Sequence, residues 1–348
     1  MHRAAHRPWS LLALPLLLIA APLRAENAAL RSAMESITAE ELQNHVNVLA
    51  DDTFEGRAAG TRGGQAAGHY LVEYLKKWKL APAGENGGYF QEFNRGSRNV
   101  LALLPGRDEK LRNEIILIGA HYDHVGYGNA SNSYGPTGYI HNGADDNASG
   151  TAALLEVVEA FSKLAEPPKR SVLFAFWDDE EAGLLGSKHW VRRPTLPLDD
   201  MKLMINVDMI GRLRGERLIV YGTRTGYGLR QLVSRQNDTN MLLDFSWEMK
   251  DNSDHHTFFA AGIPVLMFHT DLHDDYHRPR DDAHLINSAG MQRIARLMFL
   301  TTAALAEEDV VSRGFRSAGR YESAGGERQL ESPIPQLAPR LGLGGGTE

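Results

Sequence analysis

Histidines and carboxylates recur in this chain at the ends of apolar runs, and that placement is more informative than their number. His121 and Asp123 stand just after the run Ile115 to Ala120. Gly143-Ala-Asp-Asp-Asn-Ala-Ser-Gly150 precedes a helical pattern, and Asp178-Asp-Glu-Glu181 follows Ser171 to Trp177. Asp208 closes Leu203 to Val207, and Tyr276-His277 come after Pro264 to Phe268. Each cluster taken alone has an ordinary explanation. Asp and Asn before Ala-Ser-Gly cap helices, acids at a helix start gain from its dipole, and a histidine ending an apolar strand can be a satisfied core residue. Asp208 is harder to dismiss, because a carboxylate next to a buried run needs a partner to offset its desolvation. The ordinary explanations would have to hold independently at every cluster, whereas one metal site accounts for all of them.

The chain has no cysteine. Disulfides, thiol catalysis, Fe–S clusters and Cys-ligated zinc are therefore excluded. Imidazole and carboxylate must then hold the metal, a donor set that suits Zn²⁺ and, less selectively, Mn²⁺ or Co²⁺. Two histidines with three or four carboxylates exceed what one catalytic zinc uses. The surplus points to two ions about 3.5–4 Å apart that share a carboxylate and a water whose pKa they lower toward ~7. A free carboxylate is still needed to accept that water's proton. In Glu180-Glu181 adjacent side chains diverge, so one can ligate while the other faces the water.

The positioning elements follow from periodicity. Val100 to Leu104, Ile115 to Ala120, Ser171 to Trp177, Leu203 to Val207, Leu218 to Tyr221 and Pro264 to Phe268 read as strands. Leu42, Val46 and Leu49, then Tyr70, Leu71 and Leu75, then Leu154, Val157, Val158, Phe161 and Ala165, and finally Met291, Ile294, Ala295, Met298 and Leu305 have helical spacing. This alternation predicts an α/β fold, a three-layer α/β/α sandwich around a mixed, mostly parallel sheet. In such a sheet the carboxyl ends of the strands form one rim where ligands bind, and the clusters fall there. The glycine-rich stretch Glu55 to Gly64 follows no strand, lacks phosphate-loop spacing, and reads as a tight loop.

With 37 Lys+Arg against 44 Asp+Glu, a formal charge of -7, the chain lacks the basic footprint of a general nucleic-acid binder. Residues 1–25 read as a secretory signal peptide. Arg3 and Arg7 precede an apolar run, Leu11 to Ala21, and Ala25 marks a cleavage point. The run is shorter than the roughly 20 residues needed to span a bilayer and is flanked or broken by Pro15 and Pro22. The expectation is a secreted or periplasmic protein with no stable membrane association after cleavage. Residues 26–310 read as a single domain with a helical N-terminal part, the candidate catalytic domain. Residues 311–348, rich in Gly, Arg, Ser and Pro, read as a disordered tail.

Six motifs in order resemble the secreted di-zinc aminopeptidases of metallopeptidase clan MH, the bacterial leucyl-aminopeptidase type. They are His121-Tyr-Asp123-His, Asn142 to Gly150, Asp179 to Ser187, Asn206-Val-Asp208-Met, Ser253-Asp-His-His-Thr-Phe258 and Tyr276-His-Arg-Pro-Arg-Asp281. The likeness runs from roughly Leu42 to Leu305. It implies two Zn²⁺ per chain, one held by His121 and Asp208, the other by Glu181 and His277, with Asp146 bridging. It implies Glu180 as general base and acid, Asp123 orienting His121, and Tyr276 donating to the tetrahedral oxyanion. In relatives the peptide corresponding to Asp146–Asn147 is often cis. His141 stands where a tyrosine is usual and Asp282 where Thr is common, departures that bear on substrate contacts or capping.

The implied activity is removal of N-terminal residues from peptides by a metal-bridging hydroxide. Alternatives on the same fold are a glutaminyl-peptide cyclotransferase, which typically uses one zinc and is disfavoured by five intact ligand positions, and a carboxypeptidase or dipeptidase. The side chain preferred next to the cleaved bond, the oligomeric state and the purpose of the tail have no readable code in the sequence.

Overall fold

The computed structural model describes residues 28–94, 96–246, 248–308, 314–317 and 329–331. Residues 1–25, expected to be a signal peptide, lie outside these residues. Residues 28–35 form helix α1, followed by α2 (Ala39–Leu49) and α3 (Arg62–Lys77). Each of the latter is opened by a threonine, Thr38 or Thr61, whose hydroxyl accepts an N–H of the first turn. Strands β1 (Ala81–Pro82), β2 (Phe90–Phe93), β3 (Ser97–Leu104) and β4 (Ile115–His121) come next. Then follow α4 (Gly150–Ser162), β5 (Ser171–Trp177), α5 (Leu185–Arg192), β6 (Met201–Val207) and β7 (Arg217–Tyr221). The chain continues through α6 (Leu229–Gln236), β8 (Leu242–Phe245), α7 (His255–Ala260), β9 (Val265–His269), α8 (Ser288–Glu307) and β10 (Gln329–Glu331).

The strands form one mixed sheet in the order β1-β3-β5-β4-β6-β9-β7-β8-β10, with β2 pairing β3. Its centre, β5-β4-β6-β9, is parallel, and antiparallel pairs join it to both flanks. All six strands expected from sequence are present. Every residue of β4 and of β5 is buried, as expected of strands covered on both faces. Ile116, Ile118 and Ala120 pack with Phe174, Phe176 and Ile205 against the layer that holds α2, α3, α4, α6 and α8. Leu117, Leu173, Ala175 and Trp177 pack on the opposite face with Trp190 of α5 and Phe258 of α7. Each such large side chain, fully buried, contributes about 1.5–3 kcal/mol. The architecture is thus three-layered.

The chain leaves β4 through α4 to reach β5 on one side, and then crosses through α5 to β6 on the other side of β4. The strand order switches there, and the crevice opens beyond the carboxyl ends of β4 and β6. Two short strands, β8 and β10, modify the expectations. β8 falls where periodicity predicts no strand, and Gln329–Glu331, in the expected tail, pair antiparallel with β8. Arg316, in the same tail, donates its backbone N–H to the Thr225 carbonyl and lays its guanidinium over the Tyr227 ring. No helix among the described residues is long and apolar enough to cross a membrane.

Candidate metal centre

The rim gathers all five expected ligands. His121 is the last residue of β4, and Asp208 directly follows β6. Glu180 and Glu181 come from the turn after β5, and His277 from the loop after β9. Asp146 lies in the irregular turn before α4, buried like its neighbours, with the Asp146–Asn147 peptide in the cis form. Its Oδ1 is 3.4 Å from Nε2 of His121, and its Oδ2 is 3.1 Å from Nε2 of His277. Asp208 Oδ1 also lies 3.3 Å from His121 Nε2, and Glu181 Oε2 3.1 Å from His277 Nε2. Two sets of donor atoms therefore face each other across one carboxylate. One contains His124, Asp146, Glu181 and His277, and the other His121, Glu180 and Asp208.

His124 was quoted in a motif but given no role. Its Nδ1 contacts Glu181 Oε1 at 2.8 Å and Asp146 Oδ2 at 3.8 Å. The signal that could have marked it is its position three residues after His121, in the turn that leaves β4.

A scaffold of buried polar groups holds these donors. Asp123 is 3.6 Å from Nδ1 of His121, and its carboxylate also accepts the N–H groups of Glu180 at 3.1 Å and Glu181 at 3.4 Å. Asp281 accepts the N–H groups of Asp145 and Asp146 through one oxygen, at 2.9 and 3.0 Å, while Arg212 pairs with its other oxygen at 3.1 Å. Asn147 donates to the Val207 carbonyl and accepts from Gly150 and Met209, tying the turn to the end of β6. Arg57 is 1% exposed, and it donates to the carbonyls of Leu49, Tyr122, Asn142 and Gly143. It thereby ties the loop after β4 to the turn carrying Asp146. The glycine-rich loop expected around it is tight. A Cβ on Gly56, at φ +67, would sit 2.5 Å from the His141 carbonyl oxygen.

Sequence reasoning assigned no role to Arg57, Asp281 or Asp254. Asp254 is fully buried near the same acids, and burial pushes its carboxyl up to about 7. Strain gathers here too: Asp179, Met209 and His277 have left-handed backbones at φ 61, 52 and 51, each costing about 1 kcal/mol or more.

The electrostatics are those of concentrated acids. Burial, reinforced by Glu181, Asp254 and Asp208, holds Glu180 well above the usual carboxylate range against the pull of His121. Burial would raise Asp146 as well, but contacts with His121 and His277 hold it well below that range. Burial and then the surrounding carboxylates raise the Tyr276 phenol, keeping it a donor. Tyr276 stacks on His277 with ring centroids 3.9 Å apart. The buried guanidinium of Arg57 is committed to four carbonyls. Three imidazoles and several carboxylates facing one another, with no thiolate, are a donor set fitted to borderline cations such as Zn²⁺.

The two departures from the family pattern lie outside these donor sets. His141 is buried and spans Ser133 Oγ at 2.7 Å and the Tyr139 carbonyl at 2.8 Å, holding the 127–141 loop. Asp282 contacts Asn142 Nδ2 at 3.5 Å.

The model of peptidase family M28 matches residues 99–302, more than half of the chain. Among relatives, the leupeptin-inactivating enzyme 1 of Streptomyces exfoliatus is 28% identical over 226 residues, covering 64% of this chain and 46% of that protein. An aminopeptidase of Pseudomonas aeruginosa is 35% identical over 162 residues, covering 43% of this chain and 27% of that one. The chain thus spans about half or less of the length of these relatives. Among solved structures, the Legionella pneumophila LapA aminopeptidase superposes with a TM-score of 0.66 at 19% identity, over 81% of this chain and 75% of that one. The Bacillus subtilis zinc aminopeptidase BSAP does so with 0.63 at 17% identity, over 80% and 98%. At these identities the structural likeness shows a shared fold.

Proposed function

The chain belongs to peptidase family M28, and from that premise we propose that it is an exported zinc-dependent aminopeptidase with two Zn²⁺ per chain. The observation that carries this reading is Asp146, whose two carboxylate oxygens face His121 on one side and His277 on the other, at 3.4 and 3.1 Å. In the proposal His121 and Asp208 would hold one ion, Glu181 and His277 would hold the other, and Asp146 would serve both. His124, within reach of Glu181 and Asp146, steadies the second ion's carboxylates. When bound, zinc supplies Lewis acidity to the scissile carbonyl and lowers the pKa of its water.

The chain's own residues do the rest. Glu180 is turned toward the first set of donors and has a raised proton affinity. It takes the proton of the attacking water and returns it to the leaving amine. Tyr276, held on the His277 ring and kept protonated by burial, donates to the oxyanion that develops on the substrate carbonyl. Asp123 keeps both catalytic neighbours in place by accepting the backbone N–H groups of Glu180 and Glu181 and contacting the His121 ring.

The cations near the cleft favour an amino-terminal substrate over a carboxy-terminal one. Arg57 is spent on four carbonyls, and Arg212 on Asp275 and Asp281, so neither is offered to a substrate carboxylate.

The test is a panel of aminoacyl reporter substrates, free and amino-blocked, assayed with chelator and with restored zinc. The proposal expects hydrolysis of the free amines alone, lost to chelator and regained with zinc. Cleavage of blocked peptides would favour a carboxypeptidase or dipeptidase, and cyclisation of N-terminal Gln with one zinc would favour the cyclotransferase.

A further inference from the structure

Helix α4 is buried along nearly its whole length, yet among Leu154, Leu155, Val157 and Val158 it carries Glu156, which is 1% exposed. Isolated burial of a carboxylate is costly, so a polar compensation is required. The protein supplies only part of it. Oε1 of Glu156 lies 3.3 Å from Nε2 of His45, whose Nδ1 is already engaged by the Tyr70 hydroxyl at 2.7 Å, and Oε2 has no hydrogen-bond partner. Glu156 instead faces a cavity of about 180 Å³ between α2, α3 and α4.

Two further carboxylates reach the same cavity. Glu159 shares the α4 face three residues on, and Glu41 comes from the first turn of α2. One oxygen of each of the three acids lies within 4.8 Å of the others. Glu159 also meets Lys163 at 3.1 Å, and Glu41 accepts the Thr38 hydroxyl at 2.8 Å. Lys77, on the cavity wall, lies over the Tyr74 and Trp78 rings rather than against the acids.

We propose that this cavity is a second cation site, separate from the zinc centre, that takes a hard divalent cation of the Ca²⁺ type through Glu156, Glu159 and Glu41. Carboxylate oxygens and water suit hard ions, and Ca²⁺ accepts irregular coordination completed by water, for which the cavity has room. The ion joins the N-terminal helix α2 to α4, the helix that begins just after Asp146 and Asn147.

The zinc-loaded protein is titrated with Tb³⁺, whose emission Trp78 and Tyr74 on the cavity wall sensitise. The proposal expects saturable emission on excitation of these rings, displaced by Ca²⁺ and reduced at least tenfold in Glu156→Gln. Glu159→Gln, on the partly exposed side of the helix, reduces it as well and guards against a folding defect of the buried variant. Millimolar Ca²⁺ raises the Tm of the unaltered protein by several degrees and leaves that of Glu156→Gln unchanged. Absence of emission from the unaltered protein, emission from the two Gln variants as strong as that of the unaltered protein, or a Tm indifferent to Ca²⁺ overturns the proposal.

Discussion

Oδ2 of Asp281 accepts the backbone N–H of Asp146 at 3.0 Å. The residue proposed to lie between two ions is thus held by its main chain as well as its side chain. Because the same oxygen also takes the Asp145 N–H, Asp281 fixes the orientation of the whole turn that delivers the shared carboxylate.

Asp281→Asn tests that relationship. The amide loses the anionic acceptor and the pair with Arg212, so the turn is less firmly aimed. Outer partners of metal ligands typically contribute ~10–100-fold in metal affinity. Competition against a chelator is expected to show zinc held at least tenfold more weakly, and an affinity within twofold of the unaltered protein would remove Asp281 from this role.

Arg57 raises a question of stability. Its guanidinium satisfies four carbonyls drawn from α2, the loop after β4 and the turn before α4. A lysine offers three rotatable donors in place of a planar fork, and each carbonyl left unpaired costs about 1–3 kcal/mol. Urea denaturation of Arg57→Lys is expected to show a loss of about 3 kcal/mol or more. A loss under about 1 kcal/mol would mean that water or another group replaces the fork.

His255 makes the fold acid-sensitive. Burial, followed by the nearby His256 and His269, pushes its imidazole down to about 3 from an ordinary value near 6.5. Between these values the unfolded chain binds a proton that the folded chain refuses. The stability present above pH 6.5 is therefore lost progressively as pH falls, by up to ~1.4 kcal/mol per pH unit. Lowering the pH from 7 to 5 is expected to cost the unaltered protein about 2 kcal/mol more than His255→Leu in matched denaturant titrations. Identical pH dependence in the two proteins would show that another group dominates.

Glu180 and Glu181 are neighbours in sequence with separate duties in the proposal. Glu180→Gln keeps the shape and removes the proton acceptor. Turnover is expected to fall by about 10²–10⁴-fold, while zinc content stays at the level of the unaltered protein. Substantial turnover in a zinc-replete sample would assign the proton transfer elsewhere.

The central strands were legible because burial on both faces writes continuous apolar runs, as in Ile115 to Ala120 and Ser171 to Trp177. β1, β2, β8 and β10 are two to four residues long, and the last three mix polar with apolar side chains, so periodicity had too little length to act on. The donors were legible for a related reason. A carboxylate or imidazole directly after a buried strand stands out, and His121 and Asp208 do so. Asp281 and Arg57 act on backbone groups more than sixty residues away in sequence (Asp145, Asp146, Tyr122 and Asn142 among them), and backbone acceptors and donors leave no trace in side-chain pattern. His124 was in view but had no run to mark it, since the strand ends at His121.

The shared carboxylate is the centre of the account. Crystals grown with excess zinc and measured at the zinc absorption edge test it most directly. The account predicts two anomalous peaks about 3.5–4 Å apart, with Asp146 between them, His121 and Asp208 on one and Glu181 and His277 on the other. A single peak, or two peaks with Asp146 bound to neither, would contradict it.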